Sequence, residues 1–394
     1  MVENSLVKNQ KVNKFVLVES IICVLIIYFT CTLKSDLASR VFTFSFIWLL
    51  LYFFMDIINS NWHISQSYLF AIVIGIVSFL FLLLSTTGTN ESISFSYLTE
   101  YFLFMSTIVF TALAEKITIN RKSFNFIFVS NLIISGIYTY TYVKFPQAYS
   151  AVSTNALYLN FTNPNLAGMF LFLNILYMIL AFIYYKRKLV KIIFLVGAIL
   201  DFDLLLKTES RNVLLALALF APLVGIVFMG KIRRFKKWFS FIINITPIVF
   251  VSLYLTFINV IIEGGWLDFL VSKGKDLNSR VEVWNTLIEK IEGKWLIGNY
   301  AEASGNAHNS HMVLLGSFGI IVLIMVIFFT NRVVVNISEK GETKFQAYCM
   351  AAYFSVIFMG FGEGSLYSGG LCVYILSGII LIMANSPIDQ NWQE

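Results

Sequence analysis

Two histidines three residues apart, in Asn306-Ala307-His308-Asn309-Ser310-His311, are the groups in this chain best suited to acid–base chemistry. Imidazole is the natural base near neutral pH. If the segment is helical, positions i and i+3 put both rings on one face. Zinc is a competing use, but two histidines are an incomplete ligand set, and Asp268, Asp276 or Glu302 would have to complete it. The plainer reading is a set of interfacial polar residues opening an apolar run. Two arginines complement the histidines. Arg211 lies in the turn Thr208-Glu209-Ser210-Arg211-Asn212 between two apolar runs. Its plainer role is an anchor to lipid headgroups; its chemical one is to grip an anionic group, because guanidinium binds phosphate bidentately. Arg280 would sit in the first turn of a helix, where a cation opposes the helix dipole, so helix formation does not call for it.

The elements that must position these residues are apolar throughout. The 394 residues are 58% apolar and 13% charged, and the mean hydropathy is +0.79. A soluble domain carries roughly twice that charged fraction. Apolar stretches of about 20 residues recur along the chain and do not alternate at period two, which excludes a β-barrel and leaves helices as the spanning solution. The reading is an all-α polytopic membrane bundle with spans near 15–33, 41–58, 67–86, 95–114, 124–143, 164–185, 190–207, 212–229, 239–262, 308–330, 346–361 and 366–384. That makes a bundle over residues 1–262, a long loop over 263–307, and three last spans over 308–394. The run Phe15 to Leu33 is too long for a signal-peptide core and reads as a retained helix.

With the N-terminus in the cytoplasm, 18 of the 28 Lys and Arg residues fall on inner segments. Arg211, Arg280, His308 and His311 then share the extracytoplasmic side, and both termini are inside. No basic face marks a nucleic-acid binder. The four cysteines, Cys23, Cys31, Cys349 and Cys372, lie in apolar runs and read as small buried hydrophobes. Charges at membrane depth each need a reason. Asp203 and Lys207 are spaced i, i+4 for an ion pair, with Asp201 beside them, while Glu19 and Glu100 lie about a turn inside their spans. In the long loop, Ser279 and Glu282 fit a capping box, and Val281, Trp284, Ile288, Ile291 and Trp295 form an apolar stripe. The spacing predicts a short helix over 280–292, lying on the membrane surface or on the bundle, ended by Gly293 in the left-handed region.

Four local patterns, in order, resemble those of the O-antigen ligase and Wzy-type polysaccharide polymerase superfamily. Asn163-Pro164-Asn165-Leu166-Ala167-Gly168 looks like its Asn-Pro-Asn element opening a span. Ser210-Arg211-Asn212 looks like its Ser-Arg-Gly turn, with Asn in place of Gly. Arg280-Val281-Glu282-Val283-Trp284 followed by Leu296-Ile297-Gly298 looks like its Arg-x-x-x-Trp helix and Leu-x-Gly exit. His308-Asn309, nine residues, then Gly319 is similar to the ligase pattern, which continues to Gly, Thr or Tyr where this chain has Val322. The resemblance covers most of residues 160–384.

The resemblance implies a multi-pass bacterial cell-membrane glycosyltransferase that polymerises undecaprenyl-pyrophosphate-linked repeat units into a surface polysaccharide: capsular, exopolysaccharide or O-antigen. It implies no cofactor and no metal. His308 would be general base on the acceptor hydroxyl, with Arg211 and Arg280 binding the donor's diphosphate. His311, Asn309, Glu363 and Asn165 would contact substrate or neighbours. Expected partners are the lipid-linked donor, the glycan acceptor, membrane lipid, and a flippase and chain-length regulator, with no nucleic acid. The alternatives are a ligase moving finished glycan to another acceptor, and, in a different class, a flippase for the lipid-linked substrate.

Overall fold

The computed structural model describes residues 50–59, 64–86, 95–144, 156–159, 161, 164–229, 233–263, 278–300, 307–340, 343–362 and 373–388. The expected first span, Glu19, Glu363, Asn306, Asp268, Asp276, Glu302, Cys23, Cys31 and Cys372 lie outside these residues, as does the side chain of Glu100. The described elements are all helical: α1 (Leu50–Asn59), α2 (Gln66–Thr86), α3 (Phe95–Ala114), α4 (Arg121–Lys144), α5 (Pro164–Tyr184), α6 (Lys188–Lys207), α7 (Arg211–Met229), α8 (Arg233–Glu263), α9 (Asn278–Lys290), α10 (Ser310–Lys340), α11 (Lys344–Met359) and α12 (Val373–Asn385). Among the described residues, α2, α4, α5, α10 and the stretch Lys237–Phe257 of α8 are long and apolar enough to cross a membrane.

Continuous apolar runs without water partners must satisfy their own backbone, which only a helix does within one segment. α11 lies at the centre, packed against α5, α7, α8, α10 and α12. α5 is buried almost all round. By contrast α6 turns Leu195, Val196, Ile199, Leu200 and Phe202 outward. Such a face is an aggregation liability in water and the ordinary covering of a bundle in lipid.

Polar residues gather at the two ends. At one end Asn385 Nδ2 donates to the carbonyls of Ala114, Glu115 and Ile117, which closes the end of α3. Beside it Glu115 accepts from Ser67 and Asn336, and Lys116 pairs with Asp56 at 3.4 Å. The opposite end carries the turn before α7, the start of α10 and the turn after α11, joined by Ser310 N donating to Gly360 O at 3.0 Å.

α10 is broken. Gly319 has φ +75 and ψ −179, so a short helix over 310–318 is followed by the long segment to Lys340. The expected span over 308–330 contained no such break. The cause is the segment after α9: Ile320 N donates to Trp295 O at 2.9 Å, and Asn299 N donates to Gly316 O at 2.8 Å. Gly298, at φ +74, faces Gly319 so closely that a Cβ on Gly298 would stand 2.6 Å from Gly319 N. Both residues need the left-handed region and neither has room for a side chain. Thus the Leu296-Ile297-Gly298 and His308-to-Gly319 patterns, separate in sequence, are the two sides of one backbone contact. α9 itself begins at Asn278, which places Ser279 in its first turn rather than before it. Of its stripe, Trp284 and Ile291 are buried, Val281 and Ile288 are half-buried against the core, and Trp295 is exposed; Leu287, outside the stripe, is also buried. Gly293 follows at φ +76.

Gly319→Ala is expected to cost about 1–3 kcal/mol, the range for a residue forced into a sparsely populated conformation. Gly225, on α7, has open space around it, so Gly225→Ala is the control. Thermal unfolding of the purified protein in detergent should show a lowered midpoint for the first variant and little change for the second.

Candidate functional site

The site is built from the first turn of α9. Arg280 and Trp284 are four residues apart and share one face of that helix. Trp284 is fully buried, meets the Tyr254 ring edge-on at 5.9 Å, and donates from Nε1 to the Ala307 carbonyl at 2.7 Å. It therefore holds the peptide that leads into His308. His308 has φ +49, in the left-handed region that non-glycine residues seldom occupy.

What holds that conformation is Asn309. It is fully buried, and its Nδ2 donates to Pro247 O and to Phe361 O, both at 3.1 Å. Its Oδ1 accepts from His311 N and Met312 N at 3.0 Å, which caps α10. One amide thus ties three elements together: the middle of α8, the start of α10 and the turn after α11. α8 contributes because Pro247 lies inside it, and its missing N–H leaves a carbonyl of the preceding turn without its helical donor. His311 bonds to the Asn244 backbone, in that preceding turn.

The other side of the site is the start of α7. Glu209 has φ +55, which swings the chain into the helix. Ser210 Oγ bonds to Pro164 O at 3.3 Å and Asn165 Oδ1 at 3.1 Å, so the start of α5 fixes this turn. Arg211 is the first residue of α7 and is exposed. Asn212, next to it, donates to Gly362 O at 3.3 Å. A Cβ on Gly362 would coincide with the Asn212 amide and stand 2.7 Å from Arg280 Nη1. The absent side chain of Gly362 is what lets α7 and α9 close on the turn after α11.

Burial, and then the charge of Arg280, lower the His308 pKa from 6.5. A lowered value leaves the ring neutral at neutral pH, the state a general base requires. Arg280 therefore bears on both His308 and the Asn212–Gly362 contact. Arg211 is one residue from that contact.

One of the sequence expectations changes. His308 precedes α10 and His311 lies inside it, so the two rings do not share a helical face. Asn309, expected to contact substrate or neighbours, has its amide bonded to four protein groups. Asn165, with the same expectation, accepts from Ser210 beneath the Arg211 turn. Asp203 does pair with Lys207, as its spacing predicts. Among the described residues no group of three His, Cys, Asp or Glu side chains is placed to hold a metal. Pro247 was the missed contributor; its signal was a proline inside an apolar run. No family model, curated protein or solved structure matches the chain.

The close approach at Gly362 yields a coupling test. Gly362→Ala should lower the unfolding midpoint, and adding Asn212→Gly should restore part of it by removing the amide from the Cβ space. A coupling of about 0.5–3 kcal/mol is expected for residues in contact; strictly additive losses in the unfolding midpoints would contradict the geometry.

Proposed function

We propose that this chain is an integral-membrane glycosyltransferase that polymerises undecaprenyl-pyrophosphate-linked repeat units into a surface polysaccharide, at the extracytoplasmic face of the bacterial cell membrane. The observation that carries the reading is the position of Arg280, whose guanidinium stands at the Asn212–Gly362 contact and whose charge acts on His308. A base and a phosphate-binding cation in one place, with a second arginine next to Asn212, are the parts that transfer from a lipid-linked diphosphate needs. The four sequence patterns resembling the ligase and polymerase superfamily support the same reading.

In the proposed reaction His308 accepts the proton of an acceptor hydroxyl. The hydroxyl oxygen attacks the anomeric carbon of the donor sugar, and the bond from that carbon to the phosphate oxygen breaks. The electron pair leaves on the lipid diphosphate, where Arg280 and Arg211 offset the charge that develops. Asn309, Trp284 and Asn212 hold the three reacting groups in register without touching the substrate. Glu363, one residue past Gly362, is placed in sequence to reach the sugar. The chemistry calls for a membrane-embedded donor, a glycan acceptor, and partners that deliver repeats and set chain length.

In cells lacking the protein, His308→Ala should fail to restore a polysaccharide ladder while expression and insertion stay normal. A loss of at least ~100-fold is expected for removal of a general base. Single capped repeats that still reach the surface identify a polymerase. A normal ladder that is no longer transferred to its final acceptor identifies a ligase. Repeats trapped on the cytoplasmic leaflet would identify a flippase and sink the transferase reading.

The pH profile gives an independent check. His308 must be neutral, and its pKa lies below 6.5, so activity should hold through neutrality and fall only on acidification below that value. Arg280→Gln removes one of the two causes that lower the pKa. The acid limb should therefore move to higher pH, alongside a weaker apparent affinity for donor. An unchanged limb would mean that His308 is not the titrating base.

A further inference from the structure

Asp201 is the one carboxylate fully buried among the described residues, and nothing in the proposed reaction uses it. It lies on α6, six residues before the helix ends at Lys207, or about 9 Å along the axis. Ser135 Oγ on α4 bonds to its Oδ1 at 2.8 Å, and Asn174 Nδ2 on α5 bonds to its Oδ2 at 2.6 Å. Three helices that pack mutually therefore meet at one acid. A second observation concerns Asn174, which is itself 3% exposed. Its Oδ1, on the same amide that touches Asp201, is buried and has no hydrogen-bond partner. An orphaned buried carbonyl costs about 1–3 kcal/mol and calls for an explanation.

From this juxtaposition we propose that Asp201, Ser135 and Asn174 form a binding site for a monovalent alkali cation, sodium in the first instance. The carboxylate, the hydroxyl and the amide oxygen are the hard oxygen donors that such an ion takes, in preference to nitrogen or sulfur. Charge balance selects the valence. A buried carboxylate is costly unless compensated. Among the described residues the ion pairs engage Asp56, Asp203 and Glu339, so no lysine or arginine neutralises Asp201. One carboxylate matches one positive charge, whereas a divalent ion would leave a net charge buried. The cation supplies the partner that Asn174 Oδ1 otherwise lacks.

The site has a structural consequence. α6 packs on α4 and α5 through one stripe, Phe194, Gly197, Ala198, Asp201, Leu204 and Leu205, and Asp201 is its one charged member. Its end leads through Thr208 and Glu209 directly into the Arg211 turn. An occupied site would fix that end, yet Asp201 touches neither Arg280 nor His308, so binding is measurable without glycan transfer.

The test is thermal unfolding of the purified full-length protein in detergent, with sodium chloride exchanged for choline chloride at constant ionic strength. The expected result is a midpoint that rises saturably with sodium in the wild type, as binding to the native state alone requires. Asp201→Asn is close to isosteric, and rotation of the Asn174 amide lets the introduced side-chain amide donate to Asn174 Oδ1, so the variant should fold. It should show no sodium response, and Ser135→Ala should show a response shifted to higher concentration. A wild-type midpoint indifferent to sodium, or an Asp201→Asn response equal to the wild type, overturns the proposal. Failure there leaves the polymerase reading untouched, and a ladder-negative His308 variant has no bearing on sodium.

Discussion

Every backbone N–H and C=O inside an apolar bundle must find a partner within the protein, since hydrocarbon offers none. Among the described residues that constraint is met mostly by regular helix. Gly319 interrupts α10, Pro247 removes one donor inside α8, and His308 and Glu209 adopt left-handed backbone just before helices begin. Each irregularity would be costly alone. They persist because they satisfy one another: Asn309 bonds the carbonyls of Pro247 and Phe361, and Trp295 O receives the N–H that follows Gly319. The irregular backbone is buried in protein, which is where a membrane bundle tolerates it.

The chemical groups stand at this knot for a reason of rigidity. Arg280 and Trp284 project from the same face of a short helix whose apolar side is locked on the bundle. The tryptophan fixes the peptide before His308, and the arginine's charge adds to burial in lowering the His308 pKa. Separating those roles by one helical turn links His308 and Arg280 through a single rigid body. A base and a cation on separate flexible loops would need additional contacts to reach the same precision. Strain at functional positions is sustained only when surrounding contacts over-determine it, and the four bonds of the Asn309 amide do so here.

The sequence made the helices and most of their limits legible, because continuous apolar runs admit no other structure. Arg211, Arg280 and His308 could be singled out by type and spacing, since charges and imidazole are expensive near hydrocarbon. The breaks were harder to see. Gly319 belongs to a recognisable spacing from His308, but spacing does not show that Gly298 is its partner across a backbone contact. Pro247 carried a local signal for a break and none for what would fill it. Asn309 and Asn165 also make contacts that spacing alone does not show: Asn309 is buried and bonds to three elements, and Asn165 accepts from Ser210. Asp201 and Asp203 show the limit most clearly. They are two residues apart on α6, so one faces Lys207 at the surface and the other faces Ser135 and Asn174 inside. Which face is inward depends on packing against α4 and α5, and no local pattern encodes that.

Asn212 shows how closely the elements of the site approach one another. The resembling turn ends in glycine, and this chain has asparagine there. The Asn212 amide occupies the space beside Gly362 and donates to its carbonyl. Gly362, in the turn after α11, is the small residue that this close approach needs, with both the Asn212 amide and Arg280 Nη1 in the space a Cβ would take. The Asn212 amide adds a hydrogen bond between α7 and that turn. The added bond ties the Arg211 end of the site to the Arg280 and His308 end, through the same turn whose Gly360 and Phe361 carbonyls Ser310 and Asn309 grip from the other side.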